Sequence, residues 1–344
     1  MKVLVTGSAG HLGEAVSRIL LGSGDQAIGL DILESPYTQL VGSIAEPGFV
    51  KVSMSGVDAV IHTATLHKPH AATHSHQDFV DTNINGTLNL LEEAVRAGVR
   101  CFVFTSTTSA FGAALVPEAG APAAWITEEV QSIPRNIYGV TKTAAEDLCH
   151  MFHRKHGLPC LVLRTSRFFP EEDDSKAMRD GFADENAKAN EFLFRRVDLE
   201  DAANAHLNAI ERAPEIGFGR YIISATTPFS PEDLARLRSD APEVVRERCP
   251  GSETVFRQRG WRMFPGIDRV YVNEKARTEL GWTPKYDFGR VMSQLQSGEP
   301  MGSDLARTVG IKGYHNEIFE EGPYPLEGPR ERMPEGAMSG VTRG

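Results

Sequence analysis

Lys2-Val3-Leu4-Val5-Thr6-Gly7-Ser8-Ala9-Gly10-His11-Leu12-Gly13, followed by an amphipathic segment through Leu21, is the stretch that decides the fold. A short apolar, β-branched run ended by glycine is the pattern of a buried parallel strand. The Gly-x-x-Gly-x-x-Gly turn that follows leads straight into the helix. Its glycines let the backbone turn tightly and let a pyrophosphate approach the helix N-terminus, where unpaired N–H groups and the dipole favour anions. The arrangement predicts a dinucleotide site that uses Gly7, Ala9, Gly10, His11, Leu12 and Gly13.

A second strand, Gln26-Ala27-Ile28-Gly29-Leu30, ends at Asp31. An acid there accepts hydrogen bonds from the adenosine ribose hydroxyls and repels the extra phosphate of NADP, so NAD is the expected cofactor. Gly42-Ser43-Ile44 marks the end of another short strand. Asp58 to Ala64 reads as a third clear buried strand and Cys101 to Thr105 as a further one, with a helix over 77–97 between them that Gly98 caps. Residues 113–136, rich in Ala and Pro, read as a loop long enough to act as a lid. A helix from 137 to about 153 and a strand Leu158 to Leu163 close the first half. This alternation predicts an α/β fold, a Rossmann-type doubly wound parallel sheet with a smaller C-terminal substrate lobe. In numbers, residues 1–165 form the NAD-binding domain, 166–297 the smaller lobe and 298–344 an extended tail, rich in Gly and Pro from Gly322 onward. The lobe is expected to hold helices at 198–212, 231–239 and about 273–280, and a strand Arg220 to Ser224.

Composition narrows the function. Hydrophobic content of 41% and charged content of 24% are ordinary for a globular chain. A formal net charge of -10 argues against non-specific nucleic-acid binding and against attraction to anionic membrane. No apolar run approaches the ~20 residues of a membrane helix, and the chain opens on a strand-like run rather than a signal peptide, so a cytoplasmic location is expected. Cys101, Cys149, Cys160 and Cys249 follow no metal spacing and read as reduced thiols. His67, His70, His74 and His76 crowd one loop, but their spacing matches neither a helical zinc pair backed by an acid nor a finger, so no metal is expected.

Tyr138-Gly139-Val140-Thr141-Lys142 places a tyrosine and a lysine four apart on one helical face. An ammonium beside a phenol is expected to hold down a pKa that is otherwise near 10 and to make the pair a proton-transfer device. Among the hydroxyls of Ser106-Thr107-Thr108-Ser109, one placed near Tyr138 would hydrogen-bond a substrate hydroxyl.

Taken in order, Thr6 to Gly13, Asp31, His62-Thr63-Ala64, Asn83-Ile84-Asn85-Gly86-Thr87, Thr105-Ser106-Thr107, Tyr138 to Lys142, Leu163-Arg164, Val197 to Asp201 and Leu280-Gly281-Trp282-Thr283-Pro284 resemble the extended short-chain dehydrogenase/reductase superfamily in its NAD-dependent epimerase/dehydratase branch. The resemblance implies Tyr138 as acid/base, Lys142 as its pKa-lowering partner and ribose ligand, and Thr107, five residues before Gly112, as the group that holds the reacting oxygen. It also implies that Ile32, Ser43, Ile44, Thr63, Ala64, Thr65, Asn83, Thr105 and Ser106 join Tyr138 and Lys142 around NAD. His67, Thr107, Thr108 and Arg167 are the expected substrate contacts, and the helices at 77–97 and 137–153 the expected interface of a homodimer.

Departures from the family pattern restrict the chemistry. Dehydratases of the family carry an Asp-Glu pair after the threonine, where Thr108 and Ser109 stand here, so dehydration is disfavoured. Nucleotide-sugar epimerases usually carry an Asn near Arg167 and an Arg near Phe264. Arg257, Arg259 and Arg262 are either substitute anion ligands or solvated charges. The expected activity is hydride transfer at a secondary alcohol or ketone of a small molecule, a sugar, uronate or nucleotide sugar. The alternatives are simple dehydrogenation of a non-nucleotide substrate and, less favoured because Tyr138, Lys142 and Thr107 are all present, a catalytically silent NAD sensor.

Overall fold

The computed structural model describes residues 1–313, 317 and 319. In chain order the first half comprises β1 (Lys2–Thr6), α1 (His11–Gly22), β2 (Gln26–Asp31), β3 (Leu40–Val41), α2 (Pro47–Ser53), β4 (Ala59–His62), α3 (His76–Phe79), α4 (Gly86–Ala97), β5 (Cys101–Thr107), β6 (Ala124–Ile126), α5 (Ile137–His156) and β7 (Cys160–Thr165). The second half adds α6 (Lys176–Gly181), α7 (Asp184–Glu191), α8 (Leu199–Ile216), β8 (Phe218–Ile223), α9 (Leu234–Ser239), α10 (Ala241–Arg248), α11 (Ser252–Gln258), β9 (Arg269–Tyr271), α12 (Glu274–Leu280), α13 (Phe288–Ser297) and α14 (Asp304–Val309).

Seven strands form one sheet in the order β3-β2-β1-β4-β5-β7-β8, and all its pairings are parallel. The central strands are buried on both faces, which is why they read as continuous apolar runs rather than alternating ones. One face is covered by α1 and α8, with Val3, Val5, Val16, Ile61, Val103, Leu163 and Ala205 in a single cluster. The other is covered by α2, α4 and α5, with Leu4, Val60, Leu90, Phe102 and Cys149. The strand order turns back at β1 and β4, and the chain after them leaves to opposite faces of the sheet, α1 to one and α4 to the other, which marks the usual ligand site of such sheets. A separate cluster, including Phe192, Leu237, Phe256, Val270 and Phe288, gives the second half its own core.

The helix expected at 77–97 is not regular: between α3 and α4, residues Val80–Asn85 make a π-helical stretch. The widened turn lets the Asn83 amide reach sideways, donating to the Leu66 carbonyl at 2.8 Å and to Thr141 Oγ1 at 3.0 Å while accepting from Leu66 N. Such bulges recur where local geometry serves a site. The segment 113–136, expected to be loop, contains β6, which pairs in parallel with β9. Residues after 298 were expected to be extended, yet α14 is a helix packed against α1 and α8. The Gly/Pro-rich run from Gly322 lies outside the described residues. Among the described residues no helix is long and apolar enough to cross a membrane, and no group of three or more His, Cys, Asp or Glu side chains is placed to hold a metal ion.

Candidate active site

A cleft of about 840 Å³ runs along the carboxyl edge of the sheet, from Asp31 at one end to Arg269 at the other. At the first end the glycine turn shows which glycines serve packing and which serve the cleft. A Cβ on Gly13 would lie 2.0 Å from the Gly7 carbonyl oxygen, and one on Gly7 (φ +75°) would lie 2.6 Å from Ala64 N, so both positions demand glycine for close packing of α1 and β4 on β1. At Gly10 the closest atom would be the Gly7 oxygen at 3.2 Å, and the residue is exposed to the cleft. Its missing side chain therefore leaves the N-terminus of α1 open, and Gly10 caps the helix with no side chain of its own. Asp31, at the end of β2, accepts from Ala9 N at 3.0 Å and from Leu33 N at 3.0 Å, which fixes a carboxylate at the rim. An anion seat on a helix N-terminus beside a fixed carboxylate is the donor and acceptor set that a dinucleotide requires, so these residues fit NAD.

Deeper in, β5 ends at Thr107 and α5 begins at Ile137, and this brings the expected catalytic residues together. The hydroxyl of Thr107 accepts from Ser109 N at 3.0 Å and stands beside the Tyr138 phenol. Burial pushes the Tyr138 phenol up to about 12, and the Thr107 contact pulls the other way. Lys142 is 2% exposed. Its ammonium lies 4.1 Å from the centroid of the Phe104 ring and makes no hydrogen bond among the described residues. Burial pushes it down to about 7, against the raising effect of Glu146. The expected lowering of the tyrosine pKa by this lysine is thus not found, because desolvation outweighs every other influence on both groups. In this state the phenol is neutral at pH 7 and the amine is about half protonated.

The remaining expected residues sort clearly. Gly7, Ala9, Gly10, His11, Leu12, Gly13, Asp31, Ile32, Ser43, Ile44, Thr63, Ala64, Thr65, Thr105, Ser106, His67, Thr108 and Arg167 all line the cleft. Asn83 does not: it stands behind the wall, accepts from the Thr65 hydroxyl and pins the Leu66 backbone. His67 stacks on Phe169 at 5.3 Å and meets Tyr138 edge-on at 6.2 Å, and desolvation holds it neutral, well below the usual imidazole value. Arg257, Arg259 and Arg262 are outside the cleft. Arg259 donates to the Leu295 carbonyl, and Arg262 binds the Gly181 carbonyl and stacks on Phe182. Phe264 is buried against Phe182 and Phe194.

Several cleft residues went unread in the sequence. Arg195, Arg269, Tyr271 and Lys312 line it, and Glu171 stands 2.8 Å from His11 Nε2. Arg195, Arg269 and Tyr271 sit on segments tied to the second core, Lys312 follows α14, and no local pattern announces any of the five. Glu146 did have a signal, since it follows Tyr138 and Lys142 at successive steps of four.

The comparisons with known proteins agree with this geometry. Residues 3–217 match the NAD dependent epimerase/dehydratase family. The UDP-glucose 4-epimerase of Halalkalibacterium halodurans is 26% identical over 321 residues, which cover 83% of this chain and 91% of that one. A short-chain dehydrogenase/reductase superfamily protein from Agrobacterium tumefaciens, solved with bound NAD, superposes with a TM-score of 0.62 at 21% identity, covering 90% of this chain and 97% of the other. A mutated uronate dehydrogenase gives a TM-score of 0.57 at 20% identity, with 88% of each chain covered. One fold thus carries both a nucleotide-sugar epimerase and a uronate dehydrogenase, and the fold alone does not choose between them. The chain belongs to the NAD dependent epimerase/dehydratase family of the extended short-chain dehydrogenases/reductases, and its cofactor is NAD.

Proposed function

We propose that the chain transfers hydride at a secondary alcohol or ketone of a sugar or sugar-like molecule, with Tyr138 as the acid/base. Residues 1–165 hold the cofactor and residues 166–297 shape the substrate space. The observation that carries this reading is the placement of the Thr107 hydroxyl beside the Tyr138 phenol inside the cleft, next to a buried Lys142 that makes no hydrogen bond among the described residues. A carbinol oxygen placed between the two hydroxyls accepts from Thr107 and gives its proton to Tyr138 as the phenolate. The chemistry NAD supplies when bound is acceptance of hydride from the carbinol carbon, together with a positive charge that favours that phenolate. Tyr138 returns the proton on reduction, while Thr107 keeps the oxygen in place. Thr108 and Ser109 offer no carboxylic acid for loss of water, so the net outcome is oxidation, reduction or epimerisation.

Between those outcomes, Phe264 favours simple dehydrogenation. It is buried against Phe182 and Phe194, near the place where the nucleotide-sugar epimerases that this chain resembles usually carry an arginine. The curated relative named UDP-glucose 4-epimerase supports epimerisation. The test is NADH absorbance on mixing enzyme, NAD and a panel of polyols, sugar acids and nucleotide sugars. A dehydrogenase accumulates NADH; an epimerase interconverts its substrate without net NADH. Tyr138→Phe abolishes either signal while NAD still binds, and wild-type rates in that variant overturn the reading. The adjoining α4 and α5 are the expected dimer face, which light scattering reads directly.

A further inference from the structure

At the substrate end of the cleft the charges do not balance. Asp174 meets Lys68, and it takes Arg167 Nη1 at 3.2 Å. Asp173 lies 3.4 Å from both Arg167 and Arg195. Glu191 accepts from Arg195 at 2.7 Å and from Arg196 at 2.6 Å, with Arg167 Nε 3.9 Å away. Among the described residues four cations therefore share these three carboxylates, and the Nε of Arg195 finds no acceptor there. Burial raises the pKa of Asp173, which weakens one of the three anions further. A fifth cation, Arg269 on β9, is held only by Tyr271, whose hydroxyl lies 3.3 Å from its Nε, and it has no carboxylate partner among the described residues.

Of these groups Lys68, Arg167, Arg195 and Arg269 line the same cleft as Thr107 and Tyr138. Excess positive charge in a partly desolvated wall is costly until an anion compensates it. Resting on the function proposed above, we infer that the substrate bears a carboxylate, as an aldonate or uronate does, and that Arg269, with Arg167 and Arg195, receives it. Arg269 is the guanidinium not already committed to a protein carboxylate, and its planar fork suits a carboxylate bidentately. The other oxyanion that would satisfy the wall is the diphosphate of a nucleotide-linked sugar. Against it, Arg259 and Arg262 are spent on backbone carbonyls outside the cleft.

The experiment compares free sugar acids, the matching neutral sugars and polyols, and UDP-sugars, by NADH formation and by calorimetric binding to the NAD-loaded enzyme. The expected result is a preference for the acid over its neutral counterpart of at least roughly a hundredfold in kcat/KM, the loss that follows when a charged contact is left unmade. Arg269→Ala is expected to raise KM for the acid by about tenfold or more with little change in kcat, and Arg269→Lys to restore part of it. Turnover of neutral sugars or UDP-sugars in preference to acids overturns the carboxylate inference and leaves the hydride-transfer reading standing. So does an acid preference that survives Arg269→Ala. If nothing in the panel turns over, calorimetry still decides: sugar-acid binding that Arg269→Ala weakens supports the inference and faults only the chemistry, and no binding overturns it.

Discussion

Glu146 Oε1 accepts a 2.6 Å hydrogen bond from the Ser106 hydroxyl, which ties the helix carrying Tyr138 and Lys142 to the strand that ends in Thr107. The same carboxylate, fully buried, takes Arg164 Nη2 at 2.7 Å and Arg220 Nε at 3.0 Å, so α5, β5, β7 and β8 meet on one side chain. Relative placement of Thr107 and Tyr138 is thereby set from about two helical turns along α5 beyond Tyr138. Replacing Glu146 with Ala leaves Arg164 buried without its counter-ion, which costs about 3–5 kcal/mol. Urea unfolding of Glu146→Ala should show that loss, and Glu146→Gln, which keeps the Ser106 contact, a smaller one. A stability within 1 kcal/mol of wild type in the alanine variant would deny the carboxylate this role.

Asp31 offers a second test. Its two oxygens are fixed by Ala9 N and Leu33 N, so the negative charge stays at the rim, where the sequence expects an adenosine ribose to be read. Replacing it with Ser removes the repulsion towards a 2′-phosphate without adding a cation. The NAD-over-NADP ratio of binding constants should fall by roughly tenfold or more in Asp31→Ser. An unchanged ratio, measured by fluorescence titration, would place the discrimination elsewhere.

The difference between what the chain disclosed and what it hid is one of range. The places of Gly7, Gly10 and Gly13, Asp31, and Tyr138 with Lys142 on the cleft were legible because each is set by spacing within one element or at its end. The π-helical turn at Val80–Asn85 was hidden because Asn83 is drawn out of helical register by the Leu66 backbone, which only the folded chain places beside it. Arg269 was hidden for a similar reason. It reaches the cleft because β9 pairs with β6, 145 positions earlier between Ala124 and Arg269. The pKa of Tyr138 was misjudged because a helical repeat reports proximity and says nothing of burial.

Lys312 provides a third prediction. Its Nζ is 2.5 Å from Glu14 in the first turn of α1, the backbone N–H groups of Lys312 and Gly313 both reach Glu171 at 3.2 Å, and both residues line the cleft. The segment after α14 thus brings a cation to the open N-terminus of α1, where a diphosphate would meet it. Lys312→Glu should weaken NAD binding by about 1 kcal/mol or more, roughly fivefold, and the difference should shrink as salt rises. Equal affinities in calorimetry at low salt would remove Lys312 from the cofactor site.

The buried amine of Lys142 makes the last prediction a matter of sign. Its pKa falls from an ordinary 10.5 to about 7 in the folded chain. Between those values the unfolded chain binds more protons than the folded one, so stability rises as pH is raised from about 7 to 10.5, and the penalty is fully present below 7. Lys142→Met removes the group that must be charged or neutralised in the interior. Without added cofactor, this variant should therefore be more stable than wild type at pH 6, by on the order of 3 kcal/mol, and the gap should narrow by pH 9.5. It should at the same time lose most turnover, because the ammonium expected to orient the cofactor is gone. Urea midpoints at the two pH values measure the first effect and NADH formation the second. A gap of the same size at both pH values would mean that lost packing against Phe104, rather than the buried charge, governs the cost of this residue.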